Sequence, residues 1–574
     1  MPQTKVAQGT GAQINGAEAL VRMLQQFGVK HVFGLCGDTS LPLYDAFARL
    51  DHQITHVLTR DERSAAYMAD GYARISGKPG ICEGPSGGGA TYILPGVVEA
   101  NESSIPVLAI TTDIATTSRG RYTLTELDQQ NLFRPLTKWA GVANSAADIP
   151  RLMRTAFNQM CTGRTGAAHL SLPFDAQKGM VGADEIWGDA ALGDFPARRS
   201  GADPQDIERA ASLLTSSANK LLVVGGGVVL SGAERELAEL ATMLGAAVAT
   251  TISGQGSLPE THALCTGVIG SNGGTPWTRS LVEMADLVIF VGCRAGSVTT
   301  ERRRFPAPGK ATVLHIDIDP AVIGANYPTD LGLVGDCRIV LRQLINALAG
   351  QTTFDLPSRL NPAAIAKAKM EKREAFLKLA SSDDTPILPE RVVHDLQAVL
   401  SDDAIVVADP GTPCPYFSAY YEIRRSGRRF FSNRAHGALG YSMSAALGAW
   451  FAEPSTKVVS VMGDGSFGFT VGEMETIVRV KAPITMVVIS NSVYGWIKAG
   501  QKTGFDGRYF SVDFNRTDHA AVAAAYGVKS WRVEDPRQLQ GVLRQAVEYP
   551  GPTLVDVICQ PLQDAKAPVS EWVA

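Results

Sequence analysis

An aspartate stands between two glycines at Gly463-Asp464-Gly465-Ser466, directly after the apolar run Lys457-Val-Val-Ser-Val-Met462. Such a run reads as a buried strand, and in open parallel sheets ligands bind beyond the carboxyl ends of strands. The glycines let the backbone approach a ligand closely. A following helix, expected to begin near Phe467, offers free N–H groups to phosphate oxygens. A carboxylate is out of place beside a bare phosphate. It fits if a hard cation lies between them, because Mg2+ is held through one or two carboxylates together with phosphate oxygens. A second oxygen ligand is then expected at the end of the next strand. The run Ile484–Ser490 is followed by Asn491, 27 residues after Asp464, about one strand–helix–strand crossover. The competing reading is a tight turn with Asp464 capping the helix, and the placement of Asn491 favours the metal site.

Four other groups have types suited to chemistry. Glu62 lies in Arg60–Arg74, "RDERSAAYMADGYAR", at the start of a small-residue helix preceded by the strand "ITHVLT". In that position an acid ordinarily complements the helix dipole. His436 has a side chain suited to proton transfer near neutrality, or is a hydrogen-bonded structural histidine. Cys36 is read as a buried, inert thiol, with a reactive thiol as the alternative. The basic cluster Arg424, Arg425, Arg428, Arg429 and Arg434 is read as a solvated face, with an anion or CoA-phosphate site as the alternative.

The elements that must carry these groups recur in three blocks. The first holds "HVFGL", "ITHVLT", "GICEG", "PVLAIT" and "AAHLSLP"; the second "KLLVVGGG", "AAVATT", "DLVIFVG" and "ATVLHIDID"; the third "AIVVADPG", "KVVSVMGDG", "ITMVVISN" and "PTLVDVICQ". Apolar runs without alternation are strands covered on both faces, and helical stretches between them imply parallel βαβ units. The expected fold is α/β, three doubly wound parallel-sheet domains. Their expected limits are 1–185, 203–350 and 386–574, with a linker and a charged surface helix over 351–385.

Bulk properties bound the function. The chain has 574 residues, 45% apolar and 19% charged, with a net charge of −4. That is enough for large cores and argues against a general nucleic-acid or membrane-surface binder. Eight cysteines occur without any C-x-x-C pair, so neither a zinc ribbon nor a redox motif is indicated. The start, "MPQTKVAQGTGAQING", lacks a signal-peptide core, and a cytoplasmic, soluble protein is expected.

Asp-Gly followed by an Asn at this interval resembles the metal–diphosphate motif of thiamine diphosphate (ThDP) enzymes. That motif usually ends in two asparagines; here it reads Ser490-Asn491. Aligning Gly495 with the family glycine implies Asp464, Asn491 and the Val493 carbonyl as Mg2+ ligands, with Gly463, Gly465, Ser466, Tyr494 and Gly495 beside the diphosphate. The "RDERSAAYMADGYAR" stretch resembles the acetolactate-synthase-like branch, which also includes 2-hydroxyacyl-CoA lyase and oxalyl-CoA decarboxylase. The resemblance implies that Glu62 contacts N1′ of the aminopyrimidine and favours its imino form, with a raised pKa. "GICEGPSGGGATYILPG" is similar to the family's glycine-rich active-site loop, with Gly88 for the usual proline and Glu83 as a departure. "HGALGYSMSAALGA" implies Leu439 under the two rings and the Gly437 carbonyl at the 4′-amino group, and "ADPGTPCPYF" implies Gly411 and Thr412 at the diphosphate. The domains become, in order, pyrimidine-binding, Rossmann-like and diphosphate-binding. FAD or ADP in the central one is an open possibility, because its "GGG" lacks dinucleotide spacing.

The reaction is less legible. The synthases typically carry Phe-Gln where this chain has Leu124-Thr125, and Pro and Gly where it has Cys36 and Asp38. Trp496 and Lys498 follow the metal segment, where substrate selectivity is often set. Cys36, Thr125, Trp496 and Lys498 are therefore the candidate substrate contacts, with Glu62 and His436 as candidate catalytic groups. Three readings stand: a decarboxylating carboligase acting on a small 2-oxo acid, an acyl-CoA lyase, and a non-catalytic homologue. The family also implies a homodimer or homotetramer.

Overall fold

The computed structural model describes residues 12–350 and 356–571. The first eleven residues, the opening five of the 351–363 linker and the last three of the C-terminal tail lie outside the described residues.

Twenty strands follow one another among the described residues. The first eight are β1 (Gln13–Asn15), β2 (His31–Gly34), β3 (Thr55–Leu58), β4 (Gly80–Gly84), β5 (Val107–Asp113), β6 (Trp139–Val142), β7 (Ala168–Pro173) and β8 (Met180–Gly182). The next six are β9 (Lys220–Val224), β10 (Ala247–Thr250), β11 (Cys265–Val268), β12 (Leu287–Val291), β13 (Thr312–Asp317) and β14 (Leu331–Val334). The last six are β15 (Ile405–Ala408), β16 (Phe430–Ser432), β17 (Val458–Gly463), β18 (Thr485–Ser490), β19 (Lys529–Val533) and β20 (Thr553–Ile558). They form three six-stranded sheets, β3-β2-β4-β5-β7-β6, β11-β10-β9-β12-β13-β14 and β16-β15-β17-β18-β20-β19, besides the small antiparallel pair β1-β8. Every pairing in the large sheets is parallel.

The runs that announced strands are buried along their whole length, as in β5, β7, β9, β12 and β18. Helices therefore cover both faces, and parallel strands joined by crossovers follow. Counting strands within each sheet, the first and third share one order, 2-1-3-4-6-5, and the central sheet has the dinucleotide-fold order 3-2-1-4-5-6. In the first sheet the order reverses between β2 and β4; in the third it reverses between β15 and β17. The chain leaves those strands through Leu35–Asp38, Pro85–Gly89, Asp409–Thr412 and Asp464–Ser466, so the motifs singled out in the sequence stand at the two switch points.

Two compact units result: residues up to Arg198 together with Leu447–Glu453, and Arg199–Ala446 together with Pro454 onward. In the second unit, the end of the tail is stapled to the central domain. Val569 forms a bridge with Asn272, Ser570 donates to Glu301 Oε2 at 2.7 Å, and Glu571 pairs with Arg304 at 2.6 Å. Glu301, Arg302 and Arg303 form a left-handed turn there, with φ of 48°, 56° and 66°. The charged helix Pro362–Ala380 keeps only Ile365, Ala368 and Ala380 buried. No helix among the described residues is long and apolar enough to cross a membrane.

One buried acid is a liability to this architecture. Glu390, at the start of the helix Pro389–Val399, is 2% exposed, and its Oε1 has no hydrogen-bond partner. The Tyr416 hydroxyl in the same core is also without one. Burial pushes the Glu390 carboxyl from an ordinary 4.5 up to about 7. Between those values the folded chain keeps a proton that the unfolded chain has released, so stability falls as pH rises through this window, by about 3 kcal/mol in all. Glu390→Gln is expected to raise Tm by a few degrees near pH 8 and to change it little near pH 4. An equal change at both pH values in a thermal-shift series would contradict this account.

Candidate active site

At the third sheet's switch point the organising group is Asp409, which follows β15. It is fully buried. Its Oδ1 accepts the N–H groups of Tyr441 and Ser442, both at 2.9 Å, and its Oδ2 accepts the Ser466 hydroxyl at 2.5 Å. Ser466 Oγ accepts the Gly440 N–H at 2.7 Å. One carboxylate thus ties the "DPGT" turn, the 436–442 segment and the "GDGS" turn together. Burial lifts its carboxyl to about 6 even though these hydrogen bonds pull the other way. Sequence reasoning passed over Asp409, although an acid closing an apolar strand is the same signal that drew attention to Asp464.

Asp464 begins the helix Asp464–Thr470, three residues earlier than expected, with Gly463 as its N-cap. The strand runs directly into the helix, so Asp464 itself occupies the first helical position. Its Oδ1 accepts the Gly465 N–H at 2.8 Å, and its Oδ2 accepts those of Asn491 at 2.8 Å and Ser492 at 2.6 Å. The two residues 27 apart in sequence therefore meet, because β17 and β18 are neighbours. Ser492 takes a left-handed φ of 58°, a costly conformation for a residue with a side chain and one that recurs at functional turns. Among the described residues no lysine or arginine pairs with Asp464. Burial accordingly raises its carboxyl, against the pull of the three N–H groups.

Several features fit an absent cation and diphosphate. Asn491 Nδ2 is buried without a hydrogen-bond partner. Gly411, Gly437 and Gly463 have no other atom within 4 Å of where a side chain would start, so each leaves room for a bound group. No cluster of three His, Cys, Asp or Glu occurs among the described residues. A metal here would rest on one carboxylate, an amide oxygen and a main-chain carbonyl, the oxygen-only set that suits Mg2+. Gly465 and Gly495 serve a different need. A side chain on Gly465 would lie 2.7 Å from the Tyr494 ring, and one on Gly495 would lie 2.9 Å from Leu562 and 3.3 Å from Thr412 Oγ1. Their smallness packs Tyr494, Thr412 and Leu562 around the turn. Val493 is buried and bridged to Asp513.

Ser490, which stands where the family motif has its first asparagine, faces away into a buried network. Its hydroxyl donates to Asp556 Oδ1 and lies 3.0 Å from His519 Nδ1, and the His519 N–H reaches Asp556 Oδ2 at 3.2 Å. Lys498 is bound to Asp513 at 2.6 Å, and Trp496 packs at the margin of the third core. His436 is exposed and Leu439 half-buried. Arg424 pairs with Glu422 at 3.1 Å and Asp402 at 3.4 Å, and Arg425 pairs with Asp403, so this part of the basic cluster is neutralised surface.

In the first unit Glu62 opens the helix Glu62–Ser76, behind the Asp61 N-cap. It is 5% exposed, and burial raises its carboxyl above the ordinary range. The glycine-rich loop is built around it. A side chain on Gly89 would come within 3.0 Å of Glu62 Oε1, and one on Gly84 within 3.1 Å of its Cγ. Glu83, the unexplained departure in that loop, is fully buried. Its Oε1 accepts the Tyr44 hydroxyl at 2.5 Å and lies 3.1 Å from His56 Nε2. Gly34 leaves it room, since a side chain there would collide with Glu83 Oε1. Cys36 is exposed, contrary to the expectation of a buried thiol, because it sits on the loop leaving β2 rather than in the strand. Thr125 reaches the loop through Ser86 Oγ at 2.7 Å.

Comparison with known proteins agrees across the chain. Residues 14–132 match the thiamine pyrophosphate enzyme N-terminal TPP-binding domain, 207–344 its central domain and 409–557 its C-terminal TPP-binding domain. The chain is 34% identical over 559 residues to a probable acetolactate synthase large subunit of Methanocaldococcus jannaschii, covering 96% of this chain and 93% of that protein. It is 33% identical over 560 residues to that of Methanococcus aeolicus, covering 96% and 92%. Against acetolactate synthase isozyme 3 large subunit of Escherichia coli it is 31% identical over 537 residues, covering 93% and 92%.

If Asp409 and Ser466 act as one clamp, Asp409→Asn and Ser466→Ala each lower stability by about 1–3 kcal/mol. The double variant then loses clearly less than the sum, with a coupling of about 1 kcal/mol or more. Strict additivity in denaturant unfolding would show that the two act separately.

Proposed function

The chain belongs to the thiamine pyrophosphate enzymes, in the acetolactate synthase group, and on that premise we propose that it is a Mg2+-dependent, decarboxylating carboligase whose donor is a small 2-oxo acid. The observation that carries the reading is the Asp464 carboxylate, buried with no lysine or arginine paired to it among the described residues and turned onto the N–H groups of Asn491 and Ser492. On this reading residues 386–574 receive the diphosphate and 1–185 the pyrimidine. Asp464, the Asn491 amide oxygen and the Val493 carbonyl would hold Mg2+. Gly411, Thr412, Gly463, Gly465, Ser466, Tyr494 and Gly495 would line the diphosphate, and Gly437 and Leu439 would lie beneath the rings. When bound, ThDP supplies the electron sink that lets a 2-oxo acid lose CO2.

The chain's own part is proton placement and shielding. Glu62 is desolvated by Gly84, Gly89 and the loop they belong to, so its carboxyl holds a proton more tightly than an ordinary glutamate does. That proton is available to an acceptor nitrogen at Glu62 Oε1. His436, exposed on the segment that Asp409 tethers, is the proposed proton shuttle to the substrate. Exposed Tyr494, Ile497, Phe505, Tyr509 and Phe510 support a homodimer or homotetramer in which this apolar surface is covered. In the central domain Gly225 and Gly227 are filled by Gly292 and Cys293. The "GGG" turn there serves close backbone packing, and FAD or ADP is assigned no part in the reaction. The pairing of Arg424 and Arg425 takes two of the five arginines of the basic cluster away from an acyl-CoA phosphate.

Incubation with ThDP, Mg2+ and pyruvate is expected to release CO2 and give a condensation product, and 2-hydroxyacyl-CoAs are expected to give no formyl-CoA. Glu62→Gln should lower turnover by about two orders of magnitude or more with ThDP affinity nearly unchanged by calorimetry. Asp464→Ala should abolish Mg2+-dependent ThDP binding itself. Wild-type turnover in Glu62→Gln, or wild-type binding in Asp464→Ala, would remove the assignment.

A further inference from the structure

The first unit holds a cavity of about 360 Å3 whose walls include Asp38, Thr39, Ser118, Thr123, Thr125 and Phe174. It sits at the carboxyl ends of β2, β5 and β7, beside the loop whose Gly89 lies against Glu62. Its floor is held by a run of hydroxyls. Thr39 Oγ1 lies 2.8 Å from Thr112 Oγ1 and 3.2 Å from Ser86 Oγ, and Ser86 Oγ lies 2.7 Å from Thr125 Oγ1. Thr125 takes a left-handed φ of 69°, a strained state for a β-branched residue. It fits because Gly87 has no side chain: one there would stand 2.8 Å from Thr125 Cβ. Thr125 is therefore held to the cavity by its neighbours.

The charge of this cavity has one sign. Asp38 is exposed; its Oδ1 accepts the Thr39 N–H at 2.9 Å, and it forms no ion pair among the described residues. None of the described residues lining the cavity is Lys, Arg or His. Arg119 is bound to the Asp113 carboxylate at 3.1 Å. A second 2-oxo acid entering here would bring its carboxylate toward Asp38 with no cation among the described lining residues to offset the repulsion, Lys178 Nζ standing 5.5 Å from the Phe174 ring centroid. An uncharged carbonyl compound bearing a hydroxyl would meet hydrogen-bonding partners instead, Asp38 accepting and the threonines doing either.

We propose that this cavity is the acceptor subsite and that it selects an uncharged hydroxyaldehyde over a second 2-oxo acid, with Asp38 accepting the hydrogen bond of the aldehyde's hydroxyl. The inference rests on the carboligase reading above. In the step, the bond between the donor's carbonyl carbon and its carboxylate breaks and CO2 leaves. A new C–C bond forms from that carbon to the aldehyde carbon, and the aldehyde oxygen takes up one proton. The product is a 2-hydroxyketone (a 2-hydroxyaldehyde when the donor is glyoxylate), and no oxidant or reductant is consumed.

The test uses full-length protein with ThDP and Mg2+, offered pyruvate, 2-oxobutyrate or glyoxylate as donor, with and without glycolaldehyde. CO2 release and the two condensation products are measured separately. Wild type is expected to favour the mixed product over self-condensation by at least about tenfold in kcat/KM. Asp38→Gly is expected to lower that ratio about tenfold and Asp38→Asn by less. Preference for self-condensation in wild type, or a ratio unmoved by Asp38→Gly, overturns the proposal while CO2 release still upholds the carboligase reading. No CO2 release from any donor defeats that reading and the proposal with it.

Discussion

A single buried carboxylate at the end of a strand, Asp409, fixes the geometry on which the third domain's site depends. Its two oxygens take up two main-chain N–H groups and a serine hydroxyl. The three segments it joins are far apart in sequence and would otherwise have to find one another by packing alone. Burying a carboxylate is costly unless its hydrogen-bonding capacity is filled. Asp409 is tolerable in this core only with all three segments in place, and the dependence runs both ways. Asp464, in the adjacent turn, is satisfied by main-chain donors in the same manner, but among the described residues no lysine or arginine pairs with it. The contrast separates a carboxylate tied to a side-chain hydroxyl as well as main-chain donors from one held by main-chain donors alone.

The sheets show which parts of a fold can be read from a sequence. Thirteen of the strands in the three large sheets stand out as apolar runs. The five that do not are β6, β11, β14, β16 and β19, and each lies at a sheet edge. An edge strand has one strand neighbour and can be short or partly open, so it needs no continuous apolar run, although β11 and β16 are buried. β19 is exposed or half-buried at four of its five positions, and β16 has only three residues. The α/β class and the βαβ wiring were legible because central strands are covered on both faces. Strand order was not, since nothing local in a strand states which neighbour it will take.

The site was legible to a similar depth. The 27-residue interval from Asp464 to Asn491 is a crossover length, and the two residues meet in the structure. Asp409 carried the same local signal and was missed because its partners, Tyr441, Ser442 and Ser466, share no sequence neighbourhood with it. Glu83 could not be interpreted from its own strand. Its meaning lies in Tyr44, His56 and the room left by Gly34. The exposed state of Cys36 likewise depends on where β2 stops, and strand ends are less sharply written than strand centres.

The stapled tail has a mechanical consequence. Glu301 shares its carboxylate between Arg279 and Ser570, while Glu571 engages Arg302 and Arg304. Those contacts hold three successive left-handed residues, a shape that local preference alone would not keep. Anything that tugs at the chain's carboxyl end, whether a fused partner or an immobilising handle, therefore loads a strained turn in the central domain before it loads the third sheet through β20.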